Sequence, residues 1–310
     1  MFKGDELKRN FINLSDINII HLKKILKRAS VLKNLRKKNK TVSTLKSAVL
    51  AMIFEKPSTR TRVSFELAIK ELGGKSIILD EASTHLARGE TISDTARVLA
   101  KYCNALMVRT TRHQKLDEYH KYSNLPVING LSNISHPCQV LADIMAYNEK
   151  RGSIEQKKFV WMGDINNVLY SWIEASKIFN FRLHICFPKI IKIKKDLNKK
   201  IQDIKQHISL SHNVKLATSG SDCVITDTWF SMGKKPSLRL LKAFQPYQVN
   251  KNVMKNTNKN AVFMHCLPAT RGNEVSSDVI DDNKLSLVWD EAENRLHIQK
   301  AILEWCLGKI

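Results

Sequence analysis

Within six residues, Pro57-Ser58-Thr59-Arg60-Thr61-Arg62 gathers three hydroxyls and two guanidinium groups, directly after an apolar run and before a helical pattern. A helix start presents unpaired backbone N–H groups at the positive end of its dipole, which together favour an anion. Arg60 adds a planar cation that matches phosphate in bidentate fashion. The G-x-x-x-x-G-K pattern of a Walker loop is absent, so this is a phosphate cradle of another kind. The bland alternative is a polar helix cap beside surface arginines, and two arginines among three hydroxyls tilt the balance to phosphate. Arg109, followed by Thr110 and Thr111, ends a second apolar run. His136-Pro137-Cys138-Gln139 opens a further helix, with the proline suited to its first turn. An imidazole there can donate to a polarised carbonyl, and a glutamine can hold an amide by donor and acceptor at once.

A second set lies later in the chain. Asn166-Asn167 follows Gly163-Asp164 and suits a carboxylate or amide. Asp227 precedes Ser231-Met232-Gly233, a small turn beside a carboxylate that could hold a substrate amine, or an Asx-turn that only caps its own backbone. His265-Cys266-Leu267-Pro268 offers a thiol, although a buried cysteine is more often inert packing.

The elements that must position these residues alternate between strand and helix. Strands are expected over 44–54, 75–79, 105–108 and 126–128, with helices over 62–72, where Val63, Leu67 and Ile69 point inward, and from Ser93 to Tyr102. After a helix over 138–150, a second series has strands at 159–162, 183–187, 214–217, 223–226 and 261–264. It also has helices over 168–179 and along Leu197, Ile201, Ile204 and Ile208. This pattern predicts an α/β chain with two doubly wound, mostly parallel sheets joined by helices near Arg151-Gly152. The last helix, 296–305, has no strand after it and is expected to pack back on the first domain. The chemistry-bearing residues follow strands, where open α/β sheets bind ligands.

Composition narrows the class. In 310 residues, 43% are hydrophobic and 26% charged, with 11 Gly and 7 Pro, which argues against fibrous or disordered chains. The longest apolar run, 48–54, is far too short for a membrane span, and the N-terminal residues 1–10 lack a signal-peptide pattern, so a cytoplasmic location is expected. The net charge of +22 permits anionic partners. Its lysines are spread through 33–40, 192–200 and 251–259 without interleaved aromatics, which favours a solvated surface over nucleic-acid binding. The six cysteines form no C-x-x-C pair and no metal-ligand spacing, so no metal site is expected. A nucleotide-binding dehydrogenase is disfavoured because G-x-G-x-x-G is absent.

Together the stretches FEKPSTRTRVSFE, ARGETISDTARVL, MVRT, HPCQVLAD, GDINN, DTWFSMG, HCLPATRG and WDEAENRLHIQKAIL resemble the ornithine carbamoyltransferases, within the aspartate/ornithine carbamoyltransferase superfamily. The resemblance implies carbamoyl transfer from carbamoyl phosphate to ornithine, giving citrulline for arginine biosynthesis, with no cofactor and a homotrimeric assembly. Carbamoyltransferases for putrescine, acylated ornithine or aspartate are the alternatives. The implied domains are a carbamoyl-phosphate domain over 1–136 plus helix 296–310, an ornithine domain over 151–290, and a linking helix over 137–150. By the same resemblance, Ser58, Thr59, Arg60, Thr61 and Arg109 hold the phosphate, and His136, Gln139 and Arg295 contact the carbamoyl phosphate. Asn167, Asp227, Ser231 and Met232 hold ornithine. Cys266 and the Leu267 carbonyl lie near the reacting groups, with Cys266, Arg109 and His136 as the catalytic set. His85 stands where the family usually has glutamine; a histidine titrates near neutrality, so its phosphate contact would depend on its protonation.

Overall fold

The computed structural model describes residues 9–230 and 237–310. One compact unit contains the chain up to Ala142 together with Glu293–Ile310. Its elements are α1 (Ile19–Lys37), β1 (Val49–Phe54), α2 (Thr59–Glu71), β2 (Lys75–Asp80), α3 (Ile92–Tyr102), β3 (Ala105–Arg109), α4 (Gln114–Ser123), β4 (Val127–Leu131) and the start of α5 (Pro137–Arg151). The four strands are parallel in the order β2-β1-β3-β4. The residues Leu50 to Phe54 of β1 are all buried, as expected of an interior strand covered on both faces. Phe54 is in register with Arg109, so the loop opening on Ser58 and the end of β3 leave the sheet side by side.

Helix α2 buries Thr61, Phe65, Ala68 and Ile69. Val63 and Leu67, expected inward, are 57% and 36% exposed, because the i, i+3, i+4 set begun by Phe65 fixes the helix phase and turns them outward. Helix α3 is capped by Thr91, whose hydroxyl accepts from the Asp94 N–H, and not by Ser93. Helix α1, hidden among lysines, buries Leu22, Ile25, Ala29 and Leu32 at helical spacing.

The other unit, Asp143–Ala292, continues α5. It adds β5 (Lys158–Met162), α6 (Asn167–Ile178), β6 (Arg182–Cys186), α7 (Lys195–Asp203), β7 (Ile208–Ser211), α8 (Val214–Thr218), β8 (Cys223–Thr226), α9 (Leu238–Phe244), α10 (Lys251–Lys255), β9 (Val262–His265), α11 (Ser277–Ile280) and the first turn of α12 (Val288–Cys306). Its five strands are parallel in the order β7-β6-β5-β8-β9. Two expectations change here. Residues 214–217 form helix α8, because the Asn213 side chain accepts from the Leu216 N–H and starts a helical turn. Ile208 begins strand β7, paired with Leu183, instead of extending the apolar face of α7. Phe159, Trp172 and Phe181 pack ring to ring at 5.1–5.9 Å and fill the space beneath α6.

The last helix is longer than expected, and from Glu293 onward it belongs to the first unit. Glu304 is fully buried there and accepts from Arg28 Nε at 2.6 Å, Arg28 Nη2 at 2.7 Å and Thr44 Oγ1 at 2.5 Å. Trp305 packs edge-on against Phe11 at 6.3 Å. No helix among the described residues is long and apolar enough to cross a membrane.

Candidate active site

In the first unit, Ser58 is the N-cap of α2 with extended backbone angles of −157° and 103°. The helical ladder starts with Arg62 N donating to Ser58 O at 3.2 Å, so the amides of Thr59, Arg60 and Thr61 precede it and remain available to a ligand. Ser58 and Arg60 are half-buried, Thr59 is exposed and Thr61 is buried. The Thr61 hydroxyl oxygen accepts from Arg295 Nη2 at 2.9 Å and from Arg109 Nη1 at 3.3 Å. Arg295 Nη1 also donates to Gln139 Oε1 at 2.7 Å. Residues from α2, β3, α5 and α12 therefore converge, and five of the expected positions (Thr61, Arg109, His136, Gln139 and Arg295) belong to this one neighbourhood.

His136 is 3% exposed, and burial followed by the charges of Arg295, Arg109 and Arg60 holds its imidazole well below the ordinary histidine range. It is neutral at pH 7, with both donor and acceptor capacity. The cluster concentrates positive charge in its three guanidinium groups. His85 sits apart in sequence on a 3-10 turn, His85–Arg88, after β2, with its side chain exposed.

In the second unit the strand ends of β5, β8 and β9 build a site around a carboxylate. Asn166 caps α6, its Oδ1 accepting from the N–H groups of Val168 at 3.0 Å and Leu169 at 3.1 Å. Its Nδ2 donates to Asp227 Oδ2 at 2.6 Å. Asp227 Oδ1 accepts from the Thr228 N–H at 2.8 Å and from Cys266 Sγ at 3.1 Å. Burial first, and then the Asp227 carboxylate, push the Cys266 thiol well above its ordinary range, so it stays protonated and donates. Asp164 is likewise pushed up, by burial first and then by Asp227.

Leu267, at φ +58°, adopts a left-handed turn, with its N–H donating to His265 Nδ1 at 2.9 Å. Gly163 has φ +121°, and a Cβ there would sit 3.1 Å from the Trp229 indole, so the turn after β5 requires glycine. Asn167 begins α6 and is half-buried. Ser231 and Met232 lie outside the described residues. Asp227, His265 and Cys266 bring potential ligand atoms within 4.8 Å of one another. Here His265 Nδ1 serves the Leu267 N–H and the thiol serves Asp227, which makes the group part of the loop's own hydrogen-bond network.

The sequence marks Asn166 and Asn167 together as suited to a carboxylate or amide, and the family resemblance points to Asn167 alone, yet it is Asn166 that holds Asp227 directly. The signal was its N-cap position after Gly163-Asp164, where an asparagine oxygen is committed to the helix and its NH2 is left to point elsewhere.

Residues 9–149 match the family profile described as aspartate/ornithine carbamoyltransferase, carbamoyl-P binding domain, and residues 155–306 match the Asp/Orn binding domain of the same family. The chain is 46% identical over 302 residues to the ornithine carbamoyltransferase of Bradyrhizobium diazoefficiens, covering 97% of this chain and 98% of that one. It is 47% identical over 299 residues to that of Brucella ovis, covering 96% of each. Among solved structures, the ornithine carbamoyltransferase from Pyrococcus furiosus superposes with a TM-score of 0.92 at 42% identity, covering 98% of each chain. The anabolic ornithine carbamoyltransferase of Campylobacter jejuni gives 0.88 at 36% identity, over 97% of this chain and all of that one.

Proposed function

Because the chain belongs to the aspartate/ornithine carbamoyltransferase family, we propose that it transfers the carbamoyl group of carbamoyl phosphate to the δ-amine of L-ornithine, giving L-citrulline and phosphate. The observation that carries this reading is the Arg295–Thr61–Arg109 convergence at the start of α2, a preorganised seat for a dianion. For the acceptor, the Asp227 carboxylate held by Asn166, Thr228 and Cys266 suits an ammonium-bearing substrate better than an aspartate.

Ser58, Thr59, Arg60, Thr61 and Arg109 take the phosphate, with His85 as a further contact, His136 and Gln139 hold the carbamoyl group, and Arg295 is a further contact to carbamoyl phosphate. Asn167, Asp227, Ser231 and Met232 hold ornithine, and Cys266 with the Leu267 carbonyl flanks the reacting atoms. In domain terms, residues 1–136 with 296–310 serve carbamoyl phosphate, 151–290 serve ornithine, and 137–150 link them. The chain works as a homotrimer in the cytoplasm, on the route to arginine.

A free δ-amine has a pKa of about 10.4, like lysine, so it must shed a proton to solvent before it can attack. Its nitrogen then bonds to the carbamoyl carbon while the carbon–oxygen bond to phosphate breaks. The second nitrogen proton leaves with the phosphate. Cys266 is a poor acceptor for it, because its thiol is already held protonated. Arg60, Arg109 and neutral His136 stabilise charge as it builds on the phosphate and carbonyl oxygens. The test is a citrulline assay on the purified chain with carbamoyl phosphate and ornithine, run beside putrescine, acetylornithine and aspartate. Faster product formation from any of the other amines would overturn the assignment.

A further inference from the structure

Glu55, one residue beyond β1, holds a carboxylate that the roles above leave unused. Its side chain is 7% exposed. Its backbone N–H donates to Arg109 O at 3.0 Å, and its Oε2 accepts from the Thr111 N–H at 2.6 Å and the Thr111 hydroxyl at 2.9 Å. Lys115, in the first turn of α4, pairs with Glu55 Oε1 and stands 3.5 Å from Glu81 Oε1, just after β2. Three neighbouring strand ends, β2, β1 and β3, are thereby tied together on the side where the Ser58 loop and Arg109 emerge.

Burial raises the Glu55 carboxyl, but hydrogen bonds from Lys115, Thr111 and Thr110 outweigh that and leave it below its ordinary value, so it is ionised. A carboxylate so near an anion cradle opposes a dianion on Coulomb grounds. What it supplies is geometry: Arg109 leads into Thr111, and Glu55 leads into Ser58, so one side chain sets the spacing between the two halves of the cradle.

We propose that Glu55, held by Lys115, is a positioning residue for carbamoyl phosphate, locking the Arg109–Thr111 turn to the loop that opens α2. The proposal rests on the phosphate-cradle reading above, and Glu55 itself touches no ligand. Steady-state kinetics in both substrates, on the full chain, test it with Glu55→Ala, Glu55→Gln and Arg60→Ala, alongside thermal unfolding. Glu55→Ala should raise the KM for carbamoyl phosphate at least about tenfold and leave the KM for ornithine within about twofold. Glu55→Gln should recover to within about threefold of the parent, because its amide oxygen still accepts from Thr111.

A KM for carbamoyl phosphate unchanged or lowered in Glu55→Ala would overturn the proposal, since the charge would then only have opposed the dianion. So would an equal rise in both KM values with a lowered Tm and no recovery in Glu55→Gln, which marks a merely structural residue. Arg60→Ala separates the two levels: if its KM for carbamoyl phosphate and its turnover are normal, the cradle reading fails. If Arg60→Ala is impaired while Glu55→Ala is normal, only the tether fails. Should Glu55→Ala not fold, Thr111→Val and Lys115→Met carry the test, each expected to raise the KM for carbamoyl phosphate about threefold or more with ornithine unaffected. No rise in either variant would overturn the tether.

Discussion

The two clusters are built on the same kind of parallel sheet yet carry opposite charge. In the first unit guanidinium groups converge on a hydroxyl, and in the second an amide, a backbone N–H and a thiol converge on a carboxylate. Burial acts on both, but the neighbours differ. Arginines join burial in pushing His136 down, and a carboxylate joins burial in pushing Cys266 up. Each group ends neutral at pH 7, one by failing to gain a proton and the other by failing to lose one. What distinguishes the clusters is thus the field that each presents, cationic in the first unit and anionic in the second, which under the proposed function suits a dianion and an amine respectively. Neither relies on an ionised nucleophile.

Arg60→Ala strikes the cationic side hardest. Turnover should fall by at least about a hundredfold with the fold intact, measured by citrulline release and circular dichroism. Near-parental turnover would break the contrast at its stronger end. On the anionic side, Asp227→Asn should lower turnover by about tenfold or more and also speed alkylation of Cys266 by iodoacetamide, because removing the carboxylate lowers the thiol's pKa. Slower alkylation in that variant would reverse the electrostatic account. Cys266→Ser should keep turnover within about tenfold of the parent, since a hydroxyl can still donate to Asp227, whereas a nucleophilic role would predict far greater loss.

The smallest effect concerns acid stability of the first unit. His297 is buried and, mainly through burial, held at about 4. The unfolded chain therefore takes up that proton first: stability is full above about pH 6.5 and declines as pH falls toward the folded value. Melting temperatures from pH 7 to 4 should drop less steeply in His297→Gln, and an unchanged slope would remove His297 from the account.

Much of this was legible in the sequence because the informative residues sit at punctuation points. The alternation of apolar runs with helical patterns gave the α/β class, and polar residues just after apolar runs marked the strand ends that carry both clusters. What escaped was phase and partnership. Val63 and Leu67 look like the inner face of α2, but only the packing of Phe65 and Ile69 decides the rotation. Residues 214–217 are too short for periodicity to separate strand from helix, and the Asn213 cap decides it. Asn166 and Glu55 act through partners 61 and 56 residues away, a distance at which local pattern is silent.

Arg295 reaches Thr61 across 234 positions of chain, and Arg28 reaches Glu304 across 276. During synthesis, the segment that finishes the first unit is therefore made after the whole of the second. A nascent chain must hold the Thr61–Arg109 cluster incomplete until residues 293–310 have left the ribosome, and a message cut short of residue 293 would yield a first unit lacking both Arg295 and Glu304.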